Sequence, residues 1–168
     1  MFEYPLLLVF PAAMAFAGAM DLLTMTIPNR ISLALVAAFA LLAPFSGIDW
    51  QVLLINHVGV GLAVLAAGIL LFSLGWMGGG DAKLMAAAAL WLGSDHMMNF
   101  MFGVSVLGGV LSLVILGYRY YIPAAAVVSP PWAVRLHTQG TGIPYGIAIS
   151  GAALAVYPAT QWFHAVIG

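Results

Sequence analysis

The chain carries five acidic side chains in 168 residues, and two of them, Asp21 and Asp81, stand at the edges of apolar stretches. Asp21 opens the segment Asp21-Leu-Leu-Thr-Met-Thr-Ile-Pro-Asn29, and Asp81 closes Gly78-Gly-Gly-Asp81. Charged residues make up only 5% of the composition, so an acid kept beside an apolar helix calls for a functional explanation. Two carboxylates within a few ångströms of each other cannot both ionise cheaply, and such a pair shares a proton and titrates as a unit. Peptide hydrolysis needs that state: one carboxylate takes a proton from water while the other, protonated, polarises the scissile carbonyl. The plainer reading is that each acid is an N-cap or a solvated interfacial residue, and Asp81 before Ala-Lys-Leu fits an N-cap.

The elements that would have to bring these acids together are apolar. The composition is 64% hydrophobic and the mean hydropathy is +1.11, more than a soluble domain of this length can bury. Breakers and polar clusters leave apolar runs at about 5–24, 31–46, 52–74, 82–93, 99–118 and 143–166. A crossing uses roughly 20 residues, so these runs account for nearly the whole chain. The expected fold is all-α: a polytopic membrane protein of about six transmembrane helices, a single domain over residues 1–168. Ala15-Phe16-Ala17 has the small residues of a cleavage site, but Glu3 stands where a signal peptide needs a cation, so the first run is expected to be retained. The fourth run spans only about 18 Å as a helix, so it must borrow the preceding glycines, start in the interface, or be shielded by protein.

Orientation follows from the cations. Arg30, Lys83, Arg119 and Arg135 fall in alternate connections that share one face, which should be cytoplasmic. Glu3, Asp49, Asp95 and both termini then lie on the opposite, non-cytoplasmic face. Asp21 and Asp81 are left as the acids of the cytoplasmic face, Asp21 inside the end of the first helix because Pro28 lies two turns, about 10 Å, further on. The connection 118–142 contains Ser129-Pro-Pro-Trp132, which argues against a continuous helix, and it is expected at the membrane surface.

The residues around both aspartates carry a resemblance. Asp21 to Arg30, with Ile27-Pro28-Asn29, followed by Gly78-Gly-Gly-Asp-Ala-Lys-Leu and the closing Trp91-Leu92-Gly93, resembles the type IV prepilin peptidase family of GxGD intramembrane aspartic peptidases. Pro144-Tyr145-Gly146-Ile147-Ala148 is similar to the motif of that family's last helix. The resemblance implies cleavage of the short basic leader from type IV prepilin or pseudopilin precursors at the cytoplasmic membrane face, with Asp21 and Asp81 as the catalytic pair. It implies that Gly78 and Gly80 shape the second motif and that Pro144, Tyr145 and Gly146 line or support the site, with Pro28 and Asn29 in the same supporting group. The short form resembles the peptidases of tight-adherence (Flp) pili, and archaeal preflagellin peptidases share both motifs. The cysteine-bearing N-terminal region of longer members is missing here, so N-methyltransferase activity is not expected.

Other residues give weaker leads. Lys83 serves either as a snorkelling topology anchor or as a group that tunes the acid pair and orients substrate. His57, His96 and His164 are expected toward the non-cytoplasmic ends of helices and His137 in the cytoplasmic connection, without metal-ligand spacing. No cofactor or metal is implied, and a net charge of −1 offers nucleic acid no basic surface. The partners implied are a prepilin-type precursor and the bilayer of the cytoplasmic (inner) membrane. The competing classes are a proton-coupled transporter subunit, in which membrane acids relay protons, and an assembly protein that has lost catalysis.

Overall fold

The computed structural model describes residues 8–124, 127 and 130–167, and every regular element among them is helical. Residues 5–7 of the first apolar run, Glu3 and Ser129 lie outside the described residues. Helix α1, Val9–Thr24, ends where Met25 turns left-handed at φ 56°, its amide reaching back to the Asp21 carbonyl. Pro28, extended at ψ 133°, starts α2, Asn29–Leu42, which a 3-10 turn at Ala43–Phe45 prolongs. Asp49 accepts from the amides of Gln51 and Val52 and so caps α3, Trp50–Ser73, whose first turns widen into a π-helical segment over Leu53–Gly59.

Helix α4 runs Gly79–Tyr121 but is interrupted at Gly93, where φ 73° and ψ 178° suit glycine alone. A Cβ there would also stand 2.9 Å from the His57 ring. The chain doubles back at this point. The first arm of α4 lies against α3, with Ala82 at Gly68 and Leu90 at Gly61, whereas the second arm returns along α6, with Gly103 at Ala152 and Gly108 at Tyr145. Helix α5, Pro131–His137, is short and begins on a proline pair; α6 is Tyr145–Val156, and α7 is Gln161–Ile167 after a 3-10 turn. Among the described residues, α1, α2, α3, the two arms of α4 and α6 run between the two ends of the bundle.

The first arm of α4 is the central pass. It starts at Gly79, so it does take in the glycines, and Ala86 to Gly93 are buried on every side. Its alanines admit neighbours at close range, which is how so short a pass is shielded by protein. The sequence-based boundaries shift elsewhere: the fifth run belongs to a helix reaching Tyr121, the last run is broken at Tyr157–Ala159, and the 118–142 connection holds the helix α5.

Large apolar side chains remain exposed on the outer faces, among them Leu62, Ile69, Phe102, Leu113 and Val114. The helices Trp50–Ser73 and Gly79–Tyr121 are long and apolar enough to cross a membrane. Apolar exposure on this scale needs a nonaqueous neighbour. Aromatic rings pack together at the end opposite Asp21, among them Phe10, Phe39, His57, Trp91, Tyr157 and Trp162.

Candidate active site

Asp21 sits on the last turn of α1, only 6% exposed. Its Oδ2 accepts a 2.7 Å hydrogen bond from the Gly146 amide. Gly146 is the second residue of α6, where main-chain N–H groups have no partner inside the helix, so the Asp21 carboxylate caps α6 from a distant part of the chain. This approach depends on small residues. A Cβ on Gly146 would lie 2.8 Å from Asp21 Oδ2 and 2.9 Å from Asp21 Cβ, and one on Gly18, a turn earlier in α1, would lie 3.1 Å from Ser150.

Asp81 is half-buried in the first turn of α4. The helix begins at Gly79 with Gly78 as its N-cap, so Asp81 is the third helical residue and not the N-cap that its sequence neighbours suggest. Its carboxylate folds back onto the Gly78 amide, the arrangement of half a capping box. Gly78 leaves room for it, since a Cβ there would come within 2.8 Å of Asp81 Oδ2. The two aspartates are near enough that the charge of Asp21 acts on Asp81. Each carboxylate thus meets the positive end of a different helix.

Ile27 joins the two halves. Its Cδ1 lies 2.9 Å from the position a Gly146 Cβ would take, and its Cβ 3.2 Å from that of Gly80. Gly80 therefore makes space for the α1–α2 turn next to Asp81. Nothing in the residue type of Ile27 announces this; the signal was its place in the Ile27-Pro28-Asn29 motif.

The remaining sequence candidates divide by position. Pro28 and Pro144 are the residues before α2 and α6 and set the entry of each helix. Lys83 donates a 2.9 Å bond to Asn29 Oδ1, so these two meet each other at the margin of the site. Tyr145 turns away from the acids: its hydroxyl is 3.1 Å from Ser112 Oγ and its ring lies along Gly108, which makes it a packing residue between α6 and α4.

Two arginines that sequence reasoning used only for orientation also contribute. Arg135 of α5 donates to the Leu23 carbonyl at 2.9 Å, closing the end of α1 beside Asp21. Arg119 donates to the carbonyls of Leu136 and Thr141, at 2.7 and 3.0 Å, and holds the 131–142 segment down. All four cations stand at the end of the bundle that holds Asp21 and Asp81. His57 is buried at the other end, its Nδ1 3.0 Å from the Leu90 carbonyl, and His137 Nε2 lies 2.6 Å from the Ile122 carbonyl. Among the described residues, no group of three His, Cys, Asp or Glu side chains is placed to hold a metal ion.

Two acids therefore stand at one end of an apolar bundle, each held by a main-chain N–H group. A family model for the type IV leader peptidase family matches residues 8–113, which include both aspartates and the glycine turn. No curated protein and no solved structure gives a significant match.

Proposed function

The chain belongs to the type IV leader peptidase family, a family of membrane-associated proteases acting on prepilin-type substrates, and from that premise we propose that Asp21 and Asp81 are its catalytic pair. The observation that supports this most is their convergence: acids far apart in sequence, from α1 and α4, come to one end of the bundle, where the Gly146 that binds Asp21 and the Gly80 beside Asp81 both pack on Ile27. In this reading the chain is one peptidase domain and an aspartic endopeptidase. The aspartates share one proton between them. The ionised partner removes a proton from water as the water oxygen attacks the scissile carbonyl, while the protonated partner hydrogen-bonds the carbonyl oxygen. The tetrahedral intermediate then collapses, the amide nitrogen takes a proton from the pair, and the C–N bond breaks to a carboxylic acid and an amine.

The substrate in this proposal is a pilin or pseudopilin precursor, including those of tight-adherence pili, with a short basic leader ahead of an apolar helix. The six passes cross the cytoplasmic (inner) membrane with Arg30, Lys83, Arg119 and Arg135 on the cytoplasmic side, so the leader meets the aspartates at that face. The proposal is confined to hydrolysis.

Co-expression with a candidate prepilin tests it. The wild-type chain should shorten the precursor at one bond, located by mass spectrometry, and Asp21→Asn and Asp81→Asn should each leave it full length. A precursor cut equally well by either variant contradicts the assignment. Because the chain contains no cysteine, single substitutions report sidedness cleanly. Gln139→Cys should label from the cytoplasm and Gln51→Cys from the opposite side; the reverse pattern puts the pair on the wrong face for a leader.

A further inference from the structure

A groove of about 740 Å³ opens between α2, α3 and the first arm of α4. Its walls are apolar, from side chains such as Val36, Phe39, Leu54, Leu62 and Leu90, and Asn29, Arg30 and Lys83 stand together at one end. Arg30 and Lys83 are both exposed. Lys83 is occupied with Asn29, and Arg30 has no hydrogen-bond or ion-pair partner among the described residues. The groove thus has an oily trough and a cationic mouth, and the residues forming the mouth lie at the level of Asp81.

We propose that this groove binds a phospholipid with an anionic headgroup, of the phosphatidylglycerol type, its phosphate between Arg30 and Lys83 and an acyl chain along the trough. Charge decides against the pilin precursor as occupant: a basic leader would be set beside two cations, whereas a phosphate diester complements them. Length agrees, because the rise along α2 from Arg30 to Ala40 is about 15 Å, half of a hydrocarbon core about 30 Å thick. One leaflet's acyl chain therefore reaches from the cationic mouth down to the Phe39 and Ala40 level. The lipid seals a cavity that would otherwise lie open behind the helix carrying Asp81.

The inference concerns a site apart from the aspartates and stands or falls independently of the peptidase assignment. Purified protein in neutral detergent, titrated with phosphatidylglycerol or phosphatidylcholine and followed by native mass spectrometry, tests it. One phosphatidylglycerol should be retained in preference to phosphatidylcholine. Replacing both cations, Arg30→Gln with Lys83→Gln, should weaken the anionic lipid about thirtyfold and leave phosphatidylcholine unchanged. Leu62→Trp, which fills the trough, should displace the lipid even with both cations present. Glycerol 3-phosphate, carrying the headgroup chemistry without a chain, should not compete. Equal retention of both lipids, indifference to the double substitution, or competition by glycerol 3-phosphate overturns the proposal. So does a photo-crosslinker at Leu62 that captures co-expressed prepilin and no lipid.

Discussion

Around Asp21 and Asp81 the contacts are made by glycines, main-chain amides and Ile27, whereas at the other end of the same helices aromatic rings interlock. At the aromatic end Phe10 lies 4.8 Å from Tyr157 and 5.4 Å from Trp91, ring centre to ring centre, and Trp91 lies 5.2 Å from Trp162. Trp91 also donates its Nε1 proton to the Leu35 carbonyl at 3.0 Å, so its one polar atom is satisfied. Each ring pair contributes about 0.5–1.5 kcal/mol beyond burial. Among the described residues no such cluster surrounds Asp21 and Asp81, and their placement depends on the absence of Cβ atoms at Gly78, Gly80 and Gly146. The contrast teaches a division of labour: the aromatic end supplies stability, and the acidic end spends some of it on holding charges in place.

Mutations at the two ends should therefore separate stability from activity. The largest effect on stability is expected at Trp91→Ala, which should cost about 3–5 kcal/mol of unfolding free energy while cleavage per folded molecule stays within a few-fold of wild type. Reversible unfolding in micelles with parallel activity measurement checks this; a large activity loss at unchanged stability would erase the contrast. Gly146→Val should do the opposite. Its branched side chain has to displace Asp21 and Ile27, and a shift of about 1 Å should lower cleavage about 100-fold, with a smaller stability loss of about 1–3 kcal/mol from overpacking.

Gly93→Ala sharpens the account of the aromatic end. The backbone at φ 73° and ψ 178° alone should cost about 1–3 kcal/mol, and the collision with the His57 ring adds to it. In a His57→Ala background the penalty should shrink without vanishing; a penalty that disappears would mean the backbone there is free to relax. Arg135→Ala is expected to be the smallest change, about 0.5 kcal/mol, because it removes one exposed bond to the Leu23 carbonyl. A drop in cleavage larger than a few-fold in that variant would give α5 a part in the site beyond closing α1.

Asp21 and Asp81 stand out in the sequence as candidates because an acid is conspicuous where almost every neighbour is apolar, and the fold brings both to one end of the bundle. The all-helical fold was legible from the apolar runs, and the glycine turn from Gly78 to Gly80. What held Asp21 was not legible: its partner is a main-chain N–H, which every residue but proline owns, and only the fold selects that of Gly146. Tyr145, which the Pro144-Tyr145-Gly146 resemblance implies lines or supports the site, packs on Gly108 and meets Ser112, a contact that only the fold reveals. The reversal at Gly93 was hidden for a third reason. Sequence showed a short fourth run and a break after it, but the left-handed turn becomes evident only with His57 packed against it. Ile27 was passed over because its contribution is shape, fixed by Gly80 and Gly146 from two other helices.

The central claim is that Asp21 and Asp81 act as one unit, and a double-mutant cycle on prepilin cleavage in proteoliposomes tests it most directly. Single-turnover rates would be compared for wild type, Asp21→Asn, Asp81→Asn and the double variant. If the pair shares one proton and one transition state, each single substitution should lower the rate by about 10⁴-fold or more, and the double variant should be no slower than the slower single. Losses that multiply in the double variant, or substantial cleavage by either single variant, would contradict a shared catalytic pair.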